Sequence, residues 1–146
     1  MPGAACRICE FVDSAAPGGW YAENEHWRVG PHMATRVPGW VVVYLRRHAA
    51  GLTDMSAAEL TSMGPTLSAA AAAITRVIEP ERVYSVMFGE NVPHVHVVLI
   101  PRGTDVPPEH RSSALHVNAK QYEDPQRVEE VAERIRQALR VPTPAG

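Results

Sequence analysis

Pro93-His94-Val95-His96-Val97-Val98-Leu99-Ile100-Pro101-Arg102 is a run of β-branched and aliphatic residues carrying two imidazoles and bounded by prolines. It reads as a strand from His94 to Ile100. Alternate side chains of a strand share a face, so His94, His96 and Val98 fall on one side and Val95, Val97 and Leu99 on the other. Imidazoles two residues apart stand about 7 Å from each other, at about 3.3 Å of rise per residue. They are too distant to hydrogen-bond directly and suit two different tasks on one pocket wall. The plain alternative is a pair of surface histidines on an edge strand.

Upstream, Gly89-Glu90-Asn91 reads as a turn after a strand from Arg82 to Phe88. Residues 53–79 read as a helix. Ser56-Ala57-Ala58-Glu59 fits a capping box, and Leu60, Met63, Leu67, Ala70, Ala71, Ile74 and Ile78 form one apolar stripe. Gly64-Pro65 predicts a kink or break, because proline lacks the amide donor and crowds the carbonyl of Thr61. Pro38-Gly39 launches a strand, Trp40 to Leu45. Residues 20–29 suggest two short strands turning near Glu23-Asn24-Glu25 and ended by Gly30-Pro31. Downstream, 102–123 read as irregular. Asp124 caps a last helix with Pro125 at its first position. Short links between neighbouring strands predict an α+β fold, an antiparallel sheet of about five strands flanked by two main helices. Residues 1–140 read as one domain, with 1–19 a cysteine knuckle and loop and 141–146 a frayed tail.

The chain has 146 residues, 45% apolar and 21% charged, which suits a globular domain. Fourteen basic against sixteen acidic residues leave a net charge of -2, without the positive excess that coating a nucleic acid polymer requires. No apolar window reaches membrane-spanning length. Met1 to Cys6 carries no charged region followed by an apolar one, so a cytoplasmic location is expected. In that reducing setting Cys6 and Cys9 suit a metal or redox pair rather than a structural disulfide. Cys6-x-x-Cys9 has chelate spacing. His48, after the central strand, and His94 are the candidates to complete four ligands. Two reduced, buried thiols are the alternative.

The run Gly89 to Arg102 resembles the signature of the histidine triad family, in which three histidines alternate with apolar residues between a Gly-Gln turn and Pro-Arg. Pro38-Gly39-Trp40-Val41-Val42-Val43, Arg46-Arg47-His48, Leu52-Thr53-Asp54-Met55 and Cys6-Arg7-Ile8-Cys9 resemble its other landmarks in order. The resemblance implies a sheet flanked by helices, a homodimer, and hydrolysis or transfer at a nucleotide α-phosphate. It makes His96 the nucleophile that forms a covalent nucleotidyl-imidazole, its Nδ1–H held by a backbone carbonyl. As in zinc-containing members, Cys6, Cys9, His48 and His94 become a closed structural Zn2+ site.

The chain departs from that pattern at several positions. Val98 stands where the third histidine would be, and Glu90 replaces the glutamine of the turn, where an ionised carboxylate repels phosphate. Asn91 takes a Ser/Thr position and can still donate. His32 and Ala34 replace the Asp-x-Asn that holds ribose, and Trp40 replaces a histidine. His96, Glu90 and Asn91 are therefore the catalytic candidates, and His32, Arg36, Trp40, Val98 and Arg102 the substrate-binding ones. Arg102 would meet an anion or pair with an acidic neighbour. His110 and His116 read as solvated loop residues, His26 as surface or dimer rim, and Trp20, Tyr21 and Trp27 as core or subunit contact. Three functional readings follow. The first is a nucleotidyl hydrolase or transferase acting on a small nucleotide-type substrate such as a dinucleoside polyphosphate or phosphoramidate. The second is an enzyme of a specialised biosynthetic pathway with a non-nucleotide substrate, using His96 and Glu90 as acid–base groups. The third is a non-catalytic, zinc-stabilised binding protein.

Overall fold

In a computed structural model that describes residues 5–142, the elements run α1 (Arg7–Val12), β1 (Ala22–Glu23), β2 (Trp27–Pro31), β3 (Val41–Leu45), α2 (Ala57–Ile78), β4 (Arg82–Val86), β5 (His96–Arg102), α3 (Ser113–Val117) and α4 (Pro125–Ala138). The strands form one sheet in the order β1-β2-β3-β5-β4, and every pair is antiparallel. This is the expected α+β architecture. In the central pairing Val43 faces Val97 and Tyr44 faces His96.

The period of two sorts the strand residues into two apolar layers. Val41, Val43, Leu45, Val95, Val97 and Leu99 pack under α2 and α4 with Ala70, Ile74, Val131 and Ile135. Val42, Tyr44, Val98 and Ile100 face the other way, against Ile8 and Val12 of α1, Trp40, Val106 and Leu115 of α3. Both long helices thus cover one face. The second face is only partly covered by short elements, and that leaves room for a cleft. Each large apolar side chain so buried contributes about 1.5–3 kcal/mol.

Several boundaries differ from the sequence reading. β5 begins at His96 and runs through Pro101 to Arg102. Pro101 lies beyond Leu99, the last β5 residue paired with β3, so only β4 flanks it and its missing N–H is tolerated. β2 continues through Gly30 and Pro31 to pair with β3. A Cβ at Gly30 would come within 2.5 Å of the Trp20 ring, so glycine is needed for that approach. α2 passes through Pro65 without a break; Thr61 and Pro65 are both solvent-exposed, so water can serve the freed carbonyl. Its buried face is Glu59, Thr66, Ala70, Ala73 and Ile74, whereas Leu60 is 44% exposed. Residues 102–123 contain α3 and two 3-10 turns rather than irregular chain. Asp124 makes no side-chain cap for α4; its backbone N–H donates to the Arg36 carbonyl instead. Val141 packs on the core, so the tail is anchored that far, and 143–146 lie outside the described residues.

The capping box at Ser56 and Glu59 is present, and its carboxylate does a second job. Both Glu59 oxygens accept from Arg47, at 2.7 and 2.9 Å. Arg47 also donates to the carbonyls of His48 and Asp54, which pins the segment carrying His48. Arg47 first, then the Ser56 backbone N–H, hold the Glu59 carboxyl down at about 2. A depressed folded-state value stabilises the fold above the ordinary carboxylate range and is lost as pH falls. The stability difference between the wild type and Glu59→Gln should therefore be constant above about pH 4.5 and shrink toward about pH 2, while the lowered pKa of His32 makes both midpoints fall as pH drops from about 6.5 to 4. Glu59→Gln should be less stable at neutral pH, as urea titrations at stepped pH will read.

Candidate functional site

The N-terminal helix α1 is started by Cys6, whose Sγ accepts the Cys9 backbone N–H at 3.4 Å. The turn places both sulfurs beside two imidazoles. Cys6 Sγ lies 3.4 Å from His94 Nδ1, and Cys9 Sγ lies 3.4 Å from the same atom. Cys9 Sγ is 3.5 Å from His48 Nδ1, and the two Nδ1 atoms are 3.3 Å apart. A tetrahedral zinc, with Zn–S of about 2.3 Å and Zn–N of about 2.0–2.1 Å, would set S···N near 3.6 Å and N···N near 3.3 Å, roughly. The donor set Cys6, Cys9, His48 and His94 therefore fits such an ion. The chelate expected from the sequence is assembled from α1, the segment after β3 and the residue before β5.

His94 is fully buried. Its Nε2–H donates to the Leu45 carbonyl at 2.7 Å, which leaves Nδ1 as the ligand atom and fixes the ring. Burial, partly opposed by that bond, keeps its imidazole below the usual histidine range. Burial, then the neighbouring Cys6, push the Cys9 thiol up to about 11. A bound dication reverses that preference, since thiolates ligate and release their protons to do so.

The carbonyl of His94 accepts Nδ1–H of His96 at 2.7 Å. In neutral His96 the remaining nitrogen, Nε2, then carries a free lone pair. His96 lines a cleft of about 640 Å3 on the half-covered face of the sheet. The ring lies nearly parallel to Tyr44, its cross-strand partner, with centroids 6.4 Å apart. Tyr44 Oη donates to the Pro31 carbonyl at 2.6 Å, and burial keeps the phenol protonated by raising its pKa. Tyr44 thus supports His96 with its ring and the segment before His32 with its hydroxyl. His32 also lines the cleft. Its Nδ1 accepts the backbone N–H of Ala34 at 3.1 Å and of Thr35 at 2.9 Å. Burial first, then nearby His116 and His96, bring His32 down to about 4.

Of the candidates read from the sequence, His96, His32, Glu90, Asn91 and Val98 meet at the cleft. Three do not line it. Trp40 is 4% exposed and lies beneath, edge-on to His32 and stacked with His116 at 6.1 Å. Arg36 faces α4, where it pairs with Glu129 at 3.4 Å. Arg102 is buried, paired with Glu81 at 3.1 Å and donating to Tyr84 Oη at 3.3 Å, so the intramolecular alternative for it is the observed one. His116, expected in a solvated loop, is carried onto the cleft by α3. Tyr44, Arg7 and Phe88 are further cleft residues that the sequence did not single out. Alternation along β3 marks Tyr44 as sharing a face with Val42, but nothing local says which face holds the site.

Among solved structures, the chain is similar to a hypothetical histidine triad nucleotide-binding protein from Sulfolobus tokodaii, with a TM-score of 0.71, 15% identity and 91% of each chain covered. It is similar to a zinc-bound histidine triad family protein from Mycobacterium smegmatis, with a TM-score of 0.69, 20% identity and 92% of each chain covered. It is also similar to a Plasmodium falciparum diadenosine triphosphate hydrolase in complex with Cyclomarin A, with a TM-score of 0.61, 13% identity, and 81% of this chain and 74% of that one covered. No family model matches the sequence, and no curated protein does. The shared property is the histidine triad fold. No helix among the described residues is long and apolar enough to cross a membrane.

Tyr44→Phe tests the link between the two imidazoles. It removes one hydrogen bond and strands the Pro31 carbonyl, which should cost about 1–3 kcal/mol in chemical denaturation. Amide exchange at Ala34 and Thr35 should quicken beyond the global effect, because the segment before His32 loses its tether.

Proposed function

We propose that this chain, which has the histidine triad fold, is a nucleotidyl hydrolase or transferase acting through a covalent adduct on His96. The observation that carries this reading is the His96 tautomer. The bond from Nδ1–H to the His94 carbonyl leaves Nε2 as a nucleophile on the wall of an open cleft. That a nucleotide-binding protein and a diadenosine triphosphate hydrolase share the fold supports the substrate class.

In the first step the Nε2 lone pair attacks phosphorus. A P–N bond forms, the bond to the leaving group breaks, and that group departs with the electron pair and takes up a proton from solvent. The imidazole becomes a phosphorylated cation, and the His94 carbonyl stabilises the charge through the Nδ1–H bond. In the second step a water oxygen attacks phosphorus. The P–N bond breaks, its electron pair returns to Nε2, and water loses one proton. Glu90, exposed at the cleft, accepts it. Solvent screens the repulsion between this carboxylate and phosphate, which a buried position would not. The Asn91 side chain offers a neutral amide donor on the same wall.

Cys6, Cys9, His48 and His94 are the residues that would hold zinc. Four protein ligands close the shell, so the ion would supply a cross-link between α1 and the sheet rather than a Lewis acid. Its effect on chemistry runs through His94, which holds His96 by its carbonyl.

Mixing the protein with adenosine 5′-phosphoramidate should add one adenylyl group to His96, seen by mass spectrometry of quenched samples. His96→Ala should abolish the adduct and lower turnover by roughly a thousandfold or more. A zinc-loaded protein that neither forms the adduct nor turns over would overturn the reading in favour of a different substrate. Metal analysis should find about one zinc per chain. Cys9→Ala should lose it and melt well below the wild type, by several kcal/mol or so.

A further inference from the structure

The position that would carry a third imidazole is Val98, which is 4% exposed and packed in the apolar layer beneath the cleft. Valine offers no hydrogen to an oxygen on phosphorus. A nucleotidyl transfer builds negative charge on the non-bridging oxygens, and a positioned donor is worth a large part of the rate. The cleft must find that donor elsewhere.

Besides His96, whose Nδ1–H is taken by the His94 carbonyl, four side chains there carry N–H groups: Arg7, Asn91, His116 and His32. Arg7 and Asn91 are exposed. His116 lies flat on Trp40, and stacking fixes its plane without fixing its proton. His32 is different. Two consecutive backbone amides, of Ala34 and Thr35, donate to its Nδ1. A nitrogen that accepts twice cannot carry a hydrogen, so the neutral ring bears its proton on Nε2, the edge turned away from its own backbone. Pro31, next to it, is tied to Tyr44, whose ring stacks on His96. His96 and His32 are thus fixed in opposite senses. His96 presents a lone pair, and His32 presents an N–H.

Resting on the reading of His96 as nucleophile, we infer that His32 is a further catalytic residue, the neutral donor that binds the phosphoryl oxygen in place of the absent third imidazole. As His96 Nε2 bonds to phosphorus, the oxygen becomes more negative and the His32 Nε2–H bond to it strengthens. The proton stays on His32 throughout, so no proton acceptor is required. A pKa of about 4 keeps the ring uncharged at neutral pH, so the donor adds no net charge to the cleft. Apart from its histidines and tyrosine, the cleft's only acidic or basic side chains among the described residues are Arg7 and Glu90, one of each sign, so the lining is close to neutral. That suits a singly charged phosphoramidate or phosphodiester centre better than a chain of phosphates.

Two substitutions separate donor from scaffold. In His32→Asn the new amide oxygen can take over the two backbone N–H bonds, as in an Asx turn, but the side chain is too short to reach the substrate. In His32→Gln the longer side chain reaches the position of Nε2. His32→Asn should fold and bind zinc as the wild type does, yet form the His96 adduct about 10²–10³-fold more slowly, mainly through kcat. His32→Gln should recover most of that loss. Long-range 15N–1H spectra of the full-length protein at neutral pH should show His32 protonated on Nε2, and adding AMP should move that signal. An unchanged adduct rate in His32→Asn, a proton on Nδ1, or a His32 signal that ignores AMP would each overturn the inference. Absence of the adduct in the wild type would remove the nucleotidyl reading alone. The donor role would then stand or fall on the movement of the His32 signal with AMP.

Discussion

One buried residue, His94, fastens the metal-ligand cluster, the central strand and the candidate nucleophile to each other. Its Nε2–H goes to Leu45 at the end of β3, its Nδ1 to the two sulfurs and His48, and its carbonyl to His96. None of these contacts can shift alone. A rotation of the ring would strand a buried carbonyl and a buried N–H, each costing about 1–3 kcal/mol. The tautomer of His96 is therefore set by the fold and not by the pocket. In the proposed mechanism, a zinc held by four protein ligands with no open position would bear on chemistry by fixing the backbone from which His96 hangs.

The same logic recurs at His32, which lines the same cleft, with reversed polarity. At His96 a backbone carbonyl takes the Nδ1 proton. At His32 two backbone amides exclude one. In both cases the protein uses main-chain hydrogen bonds to orient an imidazole, and Tyr44 ties the two arrangements together. The site is thus defined by proton positions more than by charge. A polyphosphate needs several cations nearby, whereas a single phosphorus centre needs one nucleophile and well-aimed donors.

The strands and the ligand set were legible because local rules suffice for them. Alternation along Val95 to Ile100 assigns faces, and Cys6-x-x-Cys9 assigns a chelate. The helix face was less legible. Glu59 is buried because Arg47, twelve residues earlier, meets it, and Leu60 is exposed as a consequence. His116 could not be placed from its neighbours, since α3 docks through Leu115 and Val106, and the Ser112 N–H that starts it donates to Tyr84 on a distant strand. For Arg102 the sequence leaves an anion contact and an acidic neighbour open, and Glu81 and Tyr84, both distant in sequence, decide for the latter. In each case the deciding partner is remote in sequence.

Val98 stands where the histidine triad pattern that the sequence resembles has its third imidazole. A side chain there sits on the face of β5 that packs with Tyr44 and Ile100. Valine completes the apolar layer, and 4% exposure shows that it does. In the proposed mechanism, the donor comes instead from His32, in the segment after β2, which lines the same cleft as His96. Val98 and His32 are coherent in that reading: the one fills the apolar layer, and the other supplies an N–H at the cleft.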